Sequence, residues 1–524
     1  MNRNRIKLPH LFLVLSLLIG GYIRISPVLS VDFPINDGGM FYTMTNELQE
    51  NNFRIPEITS YNGLDIPFAY PPLGFFLTGS LVTLTGWLLI DIIRILPAII
   101  SILCILSFYL FAKEIIKDEL QLSLSLLIFS LSPASFDWLI MGGGITRSLG
   151  FLFSILTLNF MYHMYIKSNV TNTIFTGVFA SLTLLAHPES ALHTFFSGLV
   201  FFLFLGRNYK GIINSIFVAL IAIAISSPWW SSVIGSHGVN PFITAGRTGN
   251  HSISAVIDFI QFNFTHEIGL TSISFMAMIG VIILISRKQF LVPVWLLVNF
   301  FSEPRSASLY LVPAIAICAS LTFCEIIKLI SISYVSQTHN THNSGLSLLN
   351  SLTKFTIGLL LVQWTISSFL SARNEALNAT LIKEEMEAFS WVSKNTLPGS
   401  TFLILTGDHP FSDPTSEWFP ALTNQISINT IQGREWDASN DFNELLEQSK
   451  LVQTCYYYDI GCVEFWASKQ NRQFEYLLIK KKHLKIHSIP EKSRIGLISS
   501  IRDSSSYALV YDSSEIAIYQ NGLR

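Results

Sequence analysis

Tyr22-Ile23-Arg24-Ile25-Ser26-Pro27 closes the first apolar run of this chain. Val31-Asp32-Phe33-Pro34-Ile35-Asn36-Asp37-Gly38-Gly39-Met40-Phe41-Tyr42 follows, and Pro67-Phe68-Ala69-Tyr70-Pro71-Pro72-Leu73-Gly74 opens the next apolar run. Between the two runs lies a polar, acid-bearing loop of about forty residues, and a loop that long is usually functional. The reading that follows is that the rest of the chain holds this loop against a membrane surface.

Half of the 524 residues are hydrophobic and only 13% are charged, against roughly 25% charge in a soluble domain. Apolar runs of about 18–20 residues recur through the first two thirds of the chain, the length at which a helix crosses a bilayer with its backbone groups satisfied internally. The class is a polytopic α-helical membrane protein. A formal charge of −2 with no basic stripe gives no reason to expect a nucleic-acid partner. The first run, Leu8 to Leu29, follows Arg3, Arg5 and Lys7. Arg24 and Pro27 stand where a signal-peptide cleavage site would need small residues, so a retained helix with a cytoplasmic N-terminus is expected. Of five cysteines, Cys104, Cys318 and Cys324 lie in apolar runs as packing residues. Cys455 and Cys462 lie in the polar tail and can pair if the compartment is oxidising.

Apolar runs are marked at 8–29, 73–90, 95–112, 119–134, 148–166, 171–186, 191–206, 211–227, 267–286, 289–301, 308–328 and 352–371. Lys113 and Lys117, Lys167, Arg207 and Lys210, Arg287 and Lys288, and Lys328 recur with two runs between successive clusters. Cations concentrate in cytoplasmic loops. The opposite face then gathers Gly142-Gly143-Gly144-Ile145-Thr146-Arg147, His187-Pro188-Glu189, the segment from Pro228-Trp229-Trp230 to His266, and Ser302-Glu303-Pro304-Arg305-Ser306, together with the first loop. Between Lys7 and Lys113 the cations require an even number of crossings, yet three runs stand there; either one of 73–90 or 95–112 is re-entrant or tilted, or one cation cluster is assigned to the wrong face. About 11–13 transmembrane helices are expected, with the C-terminus outside. Residues 1–372 form the membrane domain, with 31–72 as its first extracytoplasmic loop. The Ser/Thr/Asn/His-rich segment 331–351 reads as a flexible cytoplasmic loop. Residues 373–524 alternate helix and strand patterns and predict a small, soluble extracytoplasmic α/β domain.

Asp37 is the leading catalytic candidate, because a carboxylate at a half-dry surface can act as general base toward a hydroxyl and Gly38-Gly39 lets backbone come close to a ligand. The alternative is a solvated loop acid or a cap for the helix-like run Met40–Gln49. Asp32 is a weaker second acid. Tyr70-Pro71-Pro72-Leu73 is stiffened by its prolines, and either starts a helix plainly or pins the far end of the loop beside its near end. Arg24, Arg147, Arg247 and Arg305 fall near the outer face, where a guanidinium either grips a phosphate with paired hydrogen bonds or snorkels to headgroups. His187 and Glu189, with His193, form a polar site beside the loop; the spacing does not match a zinc motif. Trp229-Trp230 reads as an interfacial belt. Glu417-Trp418 and Glu435-Trp436 in the tail either cover the site or are core aromatics beside exposed acids. The chain has no phosphate-binding glycine loop, no Gly-x-Ser-x-Gly and no Asp-x-Asp, so direct use of a nucleotide is not expected.

Arg24 in the first helix, the loop acid Asp37 followed by Tyr42, and Tyr70-Pro71-Pro72-Leu73 opening the next helix resemble the GT-C superfamily of membrane glycosyltransferases, in particular the protein O-mannosyltransferase and lipid A aminoarabinose transferase group. The resemblance covers the chain to about residue 330. It implies an inverting, hexosyltransferase-like enzyme that takes a sugar from a polyprenyl-phosphate carrier and gives it to a lipid, glycan or protein acceptor hydroxyl on the extracytoplasmic face. Asp37 would be the base, and Arg24, Tyr70, Arg147, His187, Glu189 and Arg305 would bind substrate. Many relatives carry paired acids where this chain has Asn36-Asp37-Gly38, so the source of a second acid, Asp32 or Glu189, stays open. No resident cofactor is implied with certainty, and a divalent metal stays possible. Partners are the lipid-linked donor, the acceptor and membrane lipids. The competing classes are a multi-pass transporter, which places its charges at mid-membrane, and a non-catalytic receptor whose outer domain binds ligand.

Overall fold

The structure is a computed structural model and describes residues 8–248, 257, 272–337, 344–439, 441–481 and 491–522. The apolar runs are helices: α1 (Leu8–Leu29), α3 (Leu73–Thr85), α4 (Leu89–Ile115), α5 (Glu119–Leu131), α6 (Gly144–Lys167), α7 (Val170–Ala186), α8 (Pro188–Leu205) and α9 (Tyr209–His237), with α2 (Gly39–Glu50) inside the first loop and α10 (Asn240–Gly246) after α9. They continue as α11 (Ser272–Ser286), α12 (Leu291–Ser302), α13 (Ala307–Gln337) and α14 (Ser344–Asn378). Among the described residues six helices are long and apolar enough to cross a membrane. The chain is thus a polytopic helical membrane protein. Where 331–351 was expected to be a flexible loop, α13 continues to Gln337 and α14 starts at Ser344; the connection between them, and residues 249–256 and 258–271, lie outside the described residues.

The three runs before Lys113 resolve at α3. Its 13 residues span ~20 Å at 1.5 Å per residue, short of a hydrocarbon core of ~30 Å. It lies along α2: Gln49 Nε2 donates to the Gly79 carbonyl at 3.2 Å, and Phe53 stacks on Phe76 at 6.1 Å. Gly86, at φ 71°, ends it. The next helix starts near the end of α1, where Arg94 donates to the Val31 carbonyl. At the other end of the bundle Tyr109 meets His10 at 3.4 Å, His163 meets Glu114 at 3.5 Å, Arg287 meets Glu325 at 2.9 Å and Lys328 meets Asp118 at 3.8 Å. The cation clusters of α4, α6, α11 and α13 therefore share one end, and the acid-bearing loop caps the other.

Arg24 ties the bundle together. It is fully buried in α1 and donates to Ser101 Oγ (3.1 Å), the Gly20 and Ser130 carbonyls (2.9 and 2.8 Å) and Ser135 Oγ (2.7 Å), with its guanidinium 4.8 Å from the Phe136 ring. These bonds clamp α1 to α4, to α5 and to the segment after α5, which satisfies a charge that hydrocarbon would otherwise penalise.

The C-terminal domain is a five-stranded sheet with β3 (Thr401–Leu405), β4 (Ile426–Ser427), β5 (Tyr476–Lys480), β6 (Tyr507–Asp512) and β7 (Ile516–Asn521) in the order β4-β3-β5-β7-β6. The three strands β4, β3 and β5 are parallel, and β7 runs antiparallel to β5 and β6. β1 (Ile58–Thr59) and β2 (Ile66–Pro67) pair inside the first loop. Side chains alternate across a strand, and both faces of the sheet are used. Leu403, Leu405, Leu477 and Ala517 pack under α17 (Phe442–Thr454) and α18 (Ile460–Lys469), where a disulfide joins Cys455 to Cys462. Phe402, Ile404, Leu478, Ile516 and Ile518 share a core with Phe33, Met40, Phe41, Tyr61, Phe68 and Phe75 of the first loop and α3. The C-terminal domain thus has the first loop as its other half. Between them sit α15 (Lys383–Asn395) and α16 (Pro414–Thr423).

Candidate functional site

The first loop is short of regular structure but not of fixed geometry. Asn36 and Gly38 adopt positive φ (54° and 125°), which turns the chain sharply on both sides of Asp37. Glycine at 142 lets α6 come in close: a Cβ there would sit 2.0 Å from the Asp37 carbonyl oxygen, and the Gly142 N–H donates to the Ile35 carbonyl at 2.9 Å. The result aims the N-terminus of α6 at the acid. Asp37 Oδ1 accepts from the Gly143 N–H at 2.8 Å and from Arg147 Nη2 at 2.9 Å, and Oδ2 lies 2.7 Å from the same nitrogen. Arg147 also donates from Nε to the Trp138 carbonyl at 3.1 Å and lies over the Trp138 ring at 5.3 Å.

A second ion pair stands at the junction of α7 and α8 with the turn before α13, where Arg305 bonds Glu189. His187 caps α8 by accepting the Ser190 N–H at 3.3 Å. Burial pushes its imidazole down to about 4 against the pull of Glu189, so it is neutral at pH 7. The Ser190 hydroxyl meets Tyr310 Oη at 2.6 Å, and Tyr310 stacks on His193 at 4.0 Å. His193 in turn contacts Asn299 and Ser306, each at 3.1 Å. Tyr70 stands between the walls: its hydroxyl is 3.4 Å from Thr146 Oγ1, and its ring meets Phe41, His187 and Trp436 at 4.7, 6.3 and 5.6 Å. Burial raises its hydroxyl pKa far above the ordinary value, so Tyr70 stays a neutral donor.

One cavity of about 670 Å³ opens at the seam between the bundle and the C-terminal domain. Asp37, Tyr70, Arg147, His187, Glu189 and Arg305 all face it, beside apolar Met40, Leu192, Phe242 and Leu309. The structure does not bring Arg24 to it; that residue is spent inside the bundle. Asp32 is exposed and not among the lining residues, and Arg247 is exposed at the end of α10. Trp229 packs on Phe242 at 5.6 Å behind the cavity wall. From the tail come Glu417 and Glu435, both in the lining. Burial and the nearby Asp37 push the Glu417 carboxyl well above the usual carboxylate range, although the Gly38 and Gly39 N–H groups and Arg147 pull the other way. Burial likewise raises Glu435, against Arg305. The acid–aromatic pairs were the only signal of these two. Tyr310, one turn into an apolar helix, carried none. Among the described residues no group of three or more His, Cys, Asp or Glu side chains is placed to hold a metal ion.

No family model and no curated protein sequence matches the chain. Solved structures do. The chain is similar to ArnT from Cupriavidus metallidurans bound to undecaprenyl phosphate, at 12% identity and TM-score 0.54, over 98% of this chain and 97% of that one. The apo state of that protein matches at TM-score 0.50 over the same shares. The arabinofuranosyltransferase AftD from Mycobacteria matches at 11% identity and TM-score 0.50, over 98% of this chain and 40% of AftD. The likeness establishes the fold: this chain is built as ArnT is, a helical membrane core that here carries a small C-terminal sheet domain.

Proposed function

We propose that the protein is an inverting glycosyltransferase that moves a sugar from a polyprenyl-phosphate carrier to an acceptor hydroxyl on the extracytoplasmic face. The observation that carries this reading is the convergence of Asp37 and two arginines, Arg147 and Arg305, on one cavity with apolar walls. A phosphate carrier is already a good leaving group. The reaction therefore needs a base on the acceptor, cations for the departing phosphate and exclusion of water. Asp37 takes the proton of the acceptor hydroxyl. The acceptor oxygen bonds the anomeric carbon as the bond from that carbon to the phosphate oxygen breaks on the opposite side, and the configuration inverts. Arg147 is bonded to Asp37 and holds its carboxylate in place; Arg305, oriented by Glu189, takes the phosphate. Neutral His187 and Tyr70 offer hydrogen bonds to sugar hydroxyls.

Two further facts support the outer-face assignment. The Cys455–Cys462 disulfide belongs to the domain that roofs the cavity, and disulfides persist in oxidising compartments. The cation clusters lie at the far end of the bundle, as cytoplasmic ends do. The undecaprenyl phosphate bound to ArnT is a lipid of the proposed carrier class, without its sugar. Membranes holding the protein are supplied with a radiolabelled polyprenyl-phosphate sugar and the label is followed into acceptor, beside membranes lacking it. Transfer that is lost in Asp37→Asn is the expected result. Equal transfer in both proteins removes the base, and none from any polyprenyl-phosphate sugar removes the donor class.

A further inference from the structure

Glu417 belongs to the outer domain, 379 residues in sequence from Gly38, yet it sits against the residue that the mechanism above uses as its base. Its Oε1 accepts the Gly38 N–H at 2.8 Å and the Gly39 N–H at 3.2 Å. Around it the same short helix makes three more contacts with the loop. Tyr61 Oη donates to the Glu417 carbonyl at 2.7 Å, Trp418 Nε1 donates to the Asn36 carbonyl at 2.9 Å, and the Trp418 ring meets Phe33 edge-on at 4.7 Å. The approach leaves no slack: a Cβ on Gly39 would lie 2.6 Å from the Glu417 carbonyl oxygen and 3.1 Å from the Trp418 Cα. Glu417 is 4% exposed and its side chain reaches the cavity lining.

We propose that Glu417 is a positioning residue: by holding the two amides that follow Asp37, the outer domain fixes where the catalytic carboxylate stands, so that the active centre is assembled only when loop and outer domain are docked. The proposal rests on the glycosyl-transfer reading for its effect on turnover, but not for its effect on the loop. A carboxyl or amide oxygen at this place satisfies two N–H donors that the turn would otherwise bury unmet. The residue touches neither sugar nor acceptor in this role. A carboxylate displaced by about 1 Å is enough to cost on the order of 100-fold in rate.

The test uses the full chain in detergent or nanodiscs and three variants. Glu417→Leu removes the acceptor oxygen, Glu417→Gln keeps one, and Tyr61→Phe cuts a neighbouring bond of the same docking surface without touching the two amides. Hydrogen exchange of the peptide covering Asn36–Phe41 is read first. Glu417→Leu is expected to speed exchange there at least tenfold, while Glu417→Gln and Tyr61→Phe leave it within about threefold of the parent. Turnover is read second: Glu417→Leu is expected to lose on the order of 100-fold in kcat with the donor KM little changed, and Glu417→Gln to restore most of it. Unchanged exchange in Glu417→Leu overturns the positioning role. So does a matching kcat loss in Tyr61→Phe, because general loosening of the domain is then sufficient. Faster exchange with undiminished transfer overturns it as well, because the active centre then works without the fixed loop; the base itself is judged separately, by Asp37→Asn.

Discussion

The pair Asp37–Arg147 is the sharpest place to test whether this carboxylate does chemistry or only holds the structure. Its side chains are 18% and 17% exposed, so it is neither a surface pair, worth ~0–1 kcal/mol, nor a sealed one, whose breaking costs ~3–5 kcal/mol. After discounting for solvent screening, either single substitution, Asp37→Asn or Arg147→Gln, should cost about 1–3 kcal/mol of stability. Asn keeps an oxygen for the Gly143 N–H, so the fold of the loop survives. Turnover should behave differently. Loss of a general base costs ~10²–10⁴-fold, far beyond what a partial loss of stability explains when the variant is still folded at assay temperature. The exchanged pair, Asp37→Arg with Arg147→Asp, separates the two roles. Opposite charges face each other again, so melting in detergent should recover part of the loss, and the coupling energy of the cycle measures the pair. Transfer of labelled sugar should not recover, because the carboxylate then stands on α6. Exchanged protein that transfers sugar at the parent rate, or Asp37→Asn at full kcat, would refute the assignment.

Gly39→Ala drives its Cβ onto backbone of α16 rather than onto a flexible side-chain tip; it should destabilise the docked domain by ~1–3 kcal/mol, read as a lower Tm, and lower kcat. His187 gives a pH signature. Its folded-state value is depressed from 6.5 to about 4, so the unfolded chain binds the proton first; its contribution is complete above about 6.5 and is lost as pH falls toward 4. The full difference is about 3 kcal/mol at ~1.4 kcal/mol per pH unit, and His187→Gln should flatten the acid limb of Tm against pH. Cutting the disulfide with Cys455→Ser and Cys462→Ser, which closes a loop of sequence separation 7, should lower the stability of the C-terminal domain by about 2–3 kcal/mol, seen as earlier protease cleavage of that domain. Its kcat should hold, because the bridge lies on the sheet face away from the cavity.

The membrane class was written in composition and run length, because hydrocarbon admits only helices whose own backbone bonds are complete. The grouping of cations at one end and of Asp37, Arg147, His187, Glu189 and Arg305 at the other was legible for the same reason: alternate loops of a polytopic chain must share a face. Hydropathy could not tell that α3 lies along the loop, since a run of apolar residues reads alike whether it crosses or rests on the surface; Gly86 and the packing of α2 decide it. Nor could it tell the arginines apart. Arg24 and Arg147 look equivalent as charges near apolar runs, and only the neighbours on α4, on α5 and after it show that one is consumed in holding helices together.

What the sequence determined by itself is local: which segments must bury themselves in lipid, which residues stiffen a turn, and where an acid stands beside glycines. What the tertiary structure alone decided is pairing across distance. The arginine that bonds Asp37 comes from 110 residues away and the carboxyl that holds its loop from 379. No periodicity or spacing encodes such meetings, because they follow from how helices and sheet close against one another, and their energy appears only once that closure has removed water from between them.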